Sequence, residues 1–295
     1  MTLAPARGNR LALAALFGGA AAIGSSALFV KVSEAGPIST GFWRVLLALP
    51  VLWAWAAWTQ RQHARKTSPA DLRLMVLAGF FFAGDLAVWH WSILLTSVAN
   101  ATLLANCAPI FVTLAAWVIY RRQPRARFVA GLATAVAGMV LLLRGDFAHV
   151  GPELLGDALG IVTAMFYAGY QMTVSRARST VSTATIMAVS GTVTALILLP
   201  IALASGERFI PVTSHGWLLL IALALISQAA GQSLIAYALA HLPGTFAAVG
   251  LLVQVIIAAA LAWILLGETL TTLALAGGVL VLIGIRIAHT AERST

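Results

Sequence analysis

Long apolar runs alternate with short polar gaps along this chain of 295 residues. A membrane-spanning helix needs about 20 mostly apolar residues. Runs of that kind fall near 11–31, 38–58, 72–94, 99–120, 128–144, 155–175, 183–204, 216–239, 245–266 and 271–289. The pattern predicts an all-α integral membrane protein with ten transmembrane helices. Five runs precede the polar joint 145–154 (GDFAHVGPEL) and five follow it. The units are therefore 11–144 and 155–289, and an odd number of spans sets the second unit upside down to the first.

The gaps carry the orientation. With the N-terminus inside, the inside gaps hold Arg7, Arg10, Arg61, Arg65, Lys66, Arg73, Arg121, Arg122, Arg125, Arg127, Arg176, Arg178, Arg286 and Arg293. The outside gaps hold Lys31, Arg144 and Arg208, with the acids Glu34, Asp146, Glu153, Asp157, Glu207 and Glu268. Lys and Arg stay on the cytoplasmic side, so both termini are expected in the cytoplasm.

The halves also repeat in sequence. Residues 98–127 (VANATLLANCAPIFVTLAAWVIYRRQPRAR) overlie residues 244–273 (GTFAAVGLLVQVIIAAALAWILLGETLTTL) at constant offset. Ala101, Ile110, Ala116, Trp117, Gly131 and Gly138 fall on Ala247, Ile256, Ala262, Trp263, Gly277 and Gly284. Past the shared Ala-Trp, one copy meets an arginine cluster and the other meets Gly267, Glu268 and Thr269. The charge flip predicts the same inversion as the span count. Inverted repeats are the ground plan of many secondary transporters.

Composition agrees. The chain is 61% hydrophobic and 9% charged, against about 25% charged in soluble proteins. Its net charge of +9 does not point to nucleic acid, because the basic residues form short clusters between apolar runs and no continuous groove. The single Cys107 excludes an intramolecular disulfide. The first run outlasts a usual signal peptide and is expected to stay as a span.

Small residues recur at packing intervals: Gly156, Gly160, Ala164 and Ala168 in the sixth span, Gly131, Ala135 and Gly138 in the fifth, Gly277 and Gly278 in the tenth. Such stripes let helices approach closely and can serve the fold, a dimer or both; a monomer is the simplest expectation. Pro50, Pro109 and Pro200 fall within or near the ends of spans. Proline frees a carbonyl and can hinge a helix, so Pro109 is the candidate hinge. Its counterpart is Val255, which predicts mechanically unequal halves.

Polar residues at membrane depth usually face the bundle interior. Asp85 is the only acid deep in a span and shares a face with Phe82, Trp89 and Ser92. It reads as a proton-sensing or ammonium-binding group, or as a structural hydrogen-bonding residue. His90 reads as a packing or interface residue. Arg44, near the outer end of its span, is expected to snorkel outward or form a salt bridge. Ser25, Ser26, Thr102, Asn106, Thr113, Tyr167, Tyr170, Gln171, Gln228, Gln232 and Gln254 complete the pattern. Together they predict a central cavity with hydrogen-bonding walls and aromatic sides. From it we take Ser25, Phe82, Asp85, Trp89, Asn106, Tyr167, Tyr170, Gln171, Gln228 and Gln232 as candidate substrate-binding residues. The cavity suits a small amphipathic molecule. No phosphate-cradling GxxxxGK[ST] loop, metal-ligand spacing or Ser-His-acid grouping occurs, so neither a cofactor nor catalysis is expected. An integral-membrane enzyme acting on lipid intermediates is the rival reading, and a channel is the third.

The stretches DLAVWHWSILLTSVANATLLANCAPIFVTLAAWVIYRRQP and AHLPGTFAAVGLLVQVIIAAALAWILLGETLTTLALAGGVLVLIGI resemble the signature region of the drug/metabolite transporter superfamily, EamA family. The resemblance covers nearly the whole chain as two successive units. It implies a ten-helix inverted-repeat carrier of the bacterial inner membrane that exports small metabolites or drugs by alternating access. Within the family the chain is most similar to YddG-type exporters, which implies aromatic or neutral amino acids as substrates. Val255 departs from the proline common in the ninth span of this family.

Overall fold

The computed structural model describes residues 6–62, 67–96, 98–121, 123–143, 152–266 and 271–293. Arg65, Lys66, Arg122, Arg144, Asp146, most of the 145–154 joint and the Gly267-Glu268-Thr269 turn lie outside these residues. Among those described, all regular structure is helical.

The helices of the described residues group into ten rods. Five are Pro37–Gln62 (second), Pro69–Leu95 (third), Ala126–Leu143 (fifth), Pro152–Ala177 (sixth) and Thr183–Ala204 (seventh). The tenth is Thr272–Arg293. The first comprises Ala6–Gly24 and Ser26–Val32, the fourth Val98–Ala105 and Ala108–Tyr120, and the ninth Gly244–Gly250 and Val253–Leu266. The eighth runs from Ser214 to Leu239 with a π-helical stretch, Ala224–Gly231, in its middle. Eight rods are long and apolar enough to cross a membrane. The fifth is apolar but shorter. The sixth has the length, and Glu153, Asp157, Gln171 and Arg176 make it less apolar.

The fifth and tenth rods meet along glycine. A Cβ on Gly138 would lie 2.6 Å from Val281 N and 2.7 Å from Gly277 O. One on Gly131 would lie 2.6 Å from Ala288 N and 2.9 Å from Gly284 O. Numbers rise along one rod as they fall along the other, so the pair is antiparallel. Gly131 and Gly138 are the repeat partners of Gly277 and Gly284, so the seam reads alike from either side. Other contacts obey the same exchange. The third rod packs on the sixth and seventh, and the eighth packs on the first and second. A shift of five rods turns one set into the other.

The sixth-rod stripe is spent inside the molecule. Gly156 backs onto Thr96 N and Gly160 onto the Leu104 Cβ, at 2.7 and 2.8 Å from an added Cβ. Ser92 Oγ donates to Gly156 O at 2.7 Å, and Thr96 Oγ1 to Asp157 Oδ1 at 2.7 Å.

The hinge expectation changes here. The fourth rod breaks at Asn106–Cys107, one turn before Pro109, and Pro109 opens the next helix. The ninth rod breaks at Leu251–Leu252, close to the repeat-equivalent point, with no proline there. Both breaks are tightened by i→i+3 bonds, Cys107 N to Leu104 O at 3.0 Å and Leu252 N to Val249 O at 3.1 Å. Proline therefore does not set the halves apart: both carry a discontinuous helix.

Matched clamps close the two ends. At one, Glu34 accepts from Val212 N and Thr213 N at 2.8 and 3.0 Å and from the Thr213 hydroxyl. That hydroxyl also accepts from Gly216 N, so one threonine caps a helix and holds the acid. Thr213 and these amides keep the Glu34 carboxyl below the ordinary glutamate range. Nearby, Glu207 accepts from Ile38 N at 3.0 Å, and Trp43 Nε1 donates to Phe209 O at 2.7 Å. At the other end, Asp71 closes a capping box with Ser68 and accepts from Thr180 Oγ1 at 2.6 Å.

Candidate functional site

Between the two ends lies a cavity of about 120 Å³, lined from the first, second, third, fourth, sixth, eighth and ninth rods. Its polar wall begins at the helix breaks. Gln254 Nε2 donates to Asn106 Oδ1 at 2.6 Å, tying the two discontinuous helices together beside their breaks. Broken helices concentrate backbone dipoles and uncommitted carbonyls where a ligand can use them. Pro109 contributes here as well, since it supplies no N–H to Ala105 O, and Ala105 lines the cavity.

Arg44 and Asp85 supply the charge. Arg44 stands seven residues into the second rod, about 10 Å from its end at 1.5 Å per residue, and is 6% exposed. Its Nε donates to Gln228 Oε1 at 3.1 Å, and its guanidinium carbon sits 6.0 Å from the Phe82 ring centre. Gln228 reaches it from the π-helical stretch of the eighth rod, whose wider turn is a frequent functional device. Arg44 therefore does not snorkel. The purely sequence-based expectation erred because nearness to a helix end hides tertiary pairing. Asp85 enters from the third rod and keeps part of its surface open on the cavity.

The aromatic side is layered. Phe82 stacks on Tyr170 with ring centres 4.8 Å apart, and Tyr170 lies 6.1 Å from Tyr167. Phe82, Trp89 and Tyr167 reach the cavity. Tyr170 stands behind them, 1% exposed, its hydroxyl turned to Met187 Sδ at 3.8 Å. Tyr167 and Gln232 lie close enough to interact, though the Tyr167 hydroxyl and Gln232 Oε1 meet no hydrogen-bond geometry.

Six of the candidate residues thus line the cavity: Phe82, Asp85, Trp89, Asn106, Tyr167 and Gln232. Gln228 and Tyr170 support it from behind. Ser25 does not line it. The rod breaks at Ser25, whose hydroxyl folds back to Ala22 O at 2.7 Å, and Ser26 takes the wall position. Gln171 belongs elsewhere. With Arg125, Arg176, Thr113 and Thr245 it lines a second cavity of about 660 Å³ toward the Asp71 end. His90 is a packing residue, 1% exposed, with Nδ1 at 2.5 Å from Leu86 O and its ring against Gly41.

A small apolar cluster touches both cavities. Ala108, Val112, Ala164, Ala168 and Ala248 form a small apolar cluster of their own. Tyr167, from the first cavity, and Met172, from the second, pack on it. The second cavity was not legible in the sequence, because its walls come from helix faces and loops scattered from residue 112 to 291.

Known proteins place this geometry. The chain is 30% identical to an uncharacterized transporter of Archaeoglobus fulgidus over 188 residues, 61% of this chain and 63% of that protein. The match thus spans less than two thirds of the archaeal relative. It is 26% identical to the pseudopaline exporter CntI of Pseudomonas aeruginosa over 224 residues, 76% of this chain and 77% of the relative. A solved crystal structure shares the fold, with a TM-score of 0.81 and 17% identity over 96% of this chain and 98% of the other. The EamA-like transporter family matches twice, over residues 10–144 and 154–290. With two such units and at least eight helices able to span a bilayer, the chain is a multi-pass membrane protein and belongs to the EamA-like transporter family.

Proposed function

We propose that the protein is a ten-span carrier that exports small amphipathic metabolites by alternating access, with neutral and aromatic amino acids as the leading substrates. In this reading 11–144 and 155–289 are mutually inverted units, and both termini face the cytoplasm. The antiparallel Gly131–Gly284 and Gly138–Gly277 seam supports the inversion. The observation that carries the carrier reading is the pair of cavities that share one cluster of small side chains in their walls. Rearranging a few alanines beside two broken helices exchanges access without dismantling a large core. The cavity walls suit a ligand with a polar head and an apolar body.

Counterflow in proteoliposomes tests this reading. A panel of amino acids, polyamines and nucleosides is loaded inside, and labelled solute uptake is followed. Saturable uptake of unmodified amino acids is the expected result. Flux that never saturates indicates a pore, and recovery of chemically altered solute indicates an enzyme. Polyamine or nucleoside counterflow without amino acid movement leaves a carrier and removes the substrate assignment.

A second reading has its own support. The relative that exports pseudopaline and the size of the second cavity favour a larger metabolite. Adding pseudopaline to the panel separates the two.

A further inference from the structure

We propose that Arg44 and Asp85 together recognise a zwitterion, Arg44 taking the carboxylate and Asp85 the ammonium group of one small molecule. This deepens the carrier reading and rests on it. Among the described residues that line the first cavity, these two are the only charged ones, and they have opposite sign. They arise from neighbouring rods and act electrostatically on one another. Yet no nitrogen–oxygen contact within 4.0 Å joins them. Two opposite charges that share a pocket without closing on each other leave a gap that a dipolar ligand fills. Buried charge is costly without a partner, so a ligand carrying both charges satisfies two groups at once. A singly charged ligand satisfies one and strands the other.

Arg44 is already aimed for this work. Its Nε is committed to Gln228, and Phe82 lies under the guanidinium with Tyr170 behind. The terminal nitrogens remain for a planar bidentate acceptor, which a carboxylate is. Beyond the two charges the lining is uncharged, mixing Ser26, Asn106 and Gln232 with Ile23, Leu86 and Trp89, so the substituent on the zwitterion is neutral.

The test is counterflow of alanine, N-acetylalanine and alaninamide, which removes the ammonium and the carboxylate in turn. The wild type is expected to move alanine at least about tenfold faster than either analogue, since sites that bind a polar group reject ligands lacking it. Asp85→Asn is expected to collapse the alanine to N-acetylalanine ratio while keeping the alaninamide ratio. Arg44→Gln is expected to do the reverse. Equal movement of all three by the wild type, or a uniform loss in both variants with unchanged ratios, overturns the proposal. Ligand-induced melting shifts of the unmutated protein give a reading that needs no variant: alanine raises the midpoint and both analogues leave it unchanged. Equal shifts for all three again overturn the proposal. Movement of no solute at all defeats the carrier reading itself, whereas saturable flux without charge discrimination defeats only the zwitterion.

Discussion

Gln254 donates its side-chain amide to Asn106 Oδ1 at 2.6 Å, and each residue stands next to a break in its own helix. This single bond joins the two discontinuous rods where they line the cavity. If it holds the crossing, Asn106→Ala and Gln254→Ala should each reduce counterflow by about tenfold, on the order of 1–2 kcal/mol for a partly buried hydrogen bond that loses one partner. The double variant should be no worse than the singles, because both remove the same contact. Initial rates of exchange for the four proteins check this.

The glycine seam makes a steric prediction. A Cβ on Gly138 meets Val281 N at 2.6 Å and Gly277 O at 2.7 Å, both backbone atoms that cannot step aside. Gly138→Ala should cost about 1–3 kcal/mol, the range for overpacking. Gly278, one residue from the seam, has nothing within 4 Å of an added Cβ. Gly278→Ala should leave the melting midpoint of the purified protein where it was, and Gly138→Ala should lower it.

The Glu34 clamp predicts a pH dependence. Thr213 and the amides of Val212 and Thr213 hold the carboxyl below its ordinary range. Because the folded value is depressed, the clamp contributes fully above the ordinary glutamate value. It is lost as pH falls through the lowered one. Melting midpoints of wild type and Glu34→Gln should differ at neutral pH and converge on acidification. A constant gap across that range would show that the carboxylate charge does not matter.

The opposite clamp should respond differently. Thr180 Oγ1 donates to Asp71, which also caps its own helix through Ser68. Thr180→Val removes the bridge and leaves the cap. It should lower stability by about 1 kcal/mol, whereas Ser68→Ala should cost about as much by uncapping the third rod. Thermal unfolding of the two variants and their combination separates bridge from cap.

Much of this was legible in the chain because the signals are local. Apolar runs and glycine offsets announce spans and repeats without tertiary information. Asp85, Asn106 and Tyr167 stand out because a polar group in an apolar run has few reasons to be there. What failed depended on partners or on one residue of helical phase. Ser25 and Ser26 differ by roughly 100° around a helix, and the break at Ser25 decided which of them faces inward. Tyr167 and Tyr170 share a face by spacing, but Phe82 covers only Tyr170. Arg44 sits close enough to a helix end to pass for a snorkelling residue, and only Gln228 from the eighth rod reveals its burial. The break in the ninth rod has no proline to mark it.

The inverted arrangement of the two units is most directly tested by thiol labelling from each side of the membrane. In a Cys107→Ser background, Gln123→Cys and Thr271→Cys place one reporter beyond the fourth rod and one beyond the ninth, its partner in the repeat. A membrane-impermeant reagent is expected to reach Gln123→Cys from the cytoplasmic face and Thr271→Cys from the opposite face. Labelling of both from a single face would contradict the account.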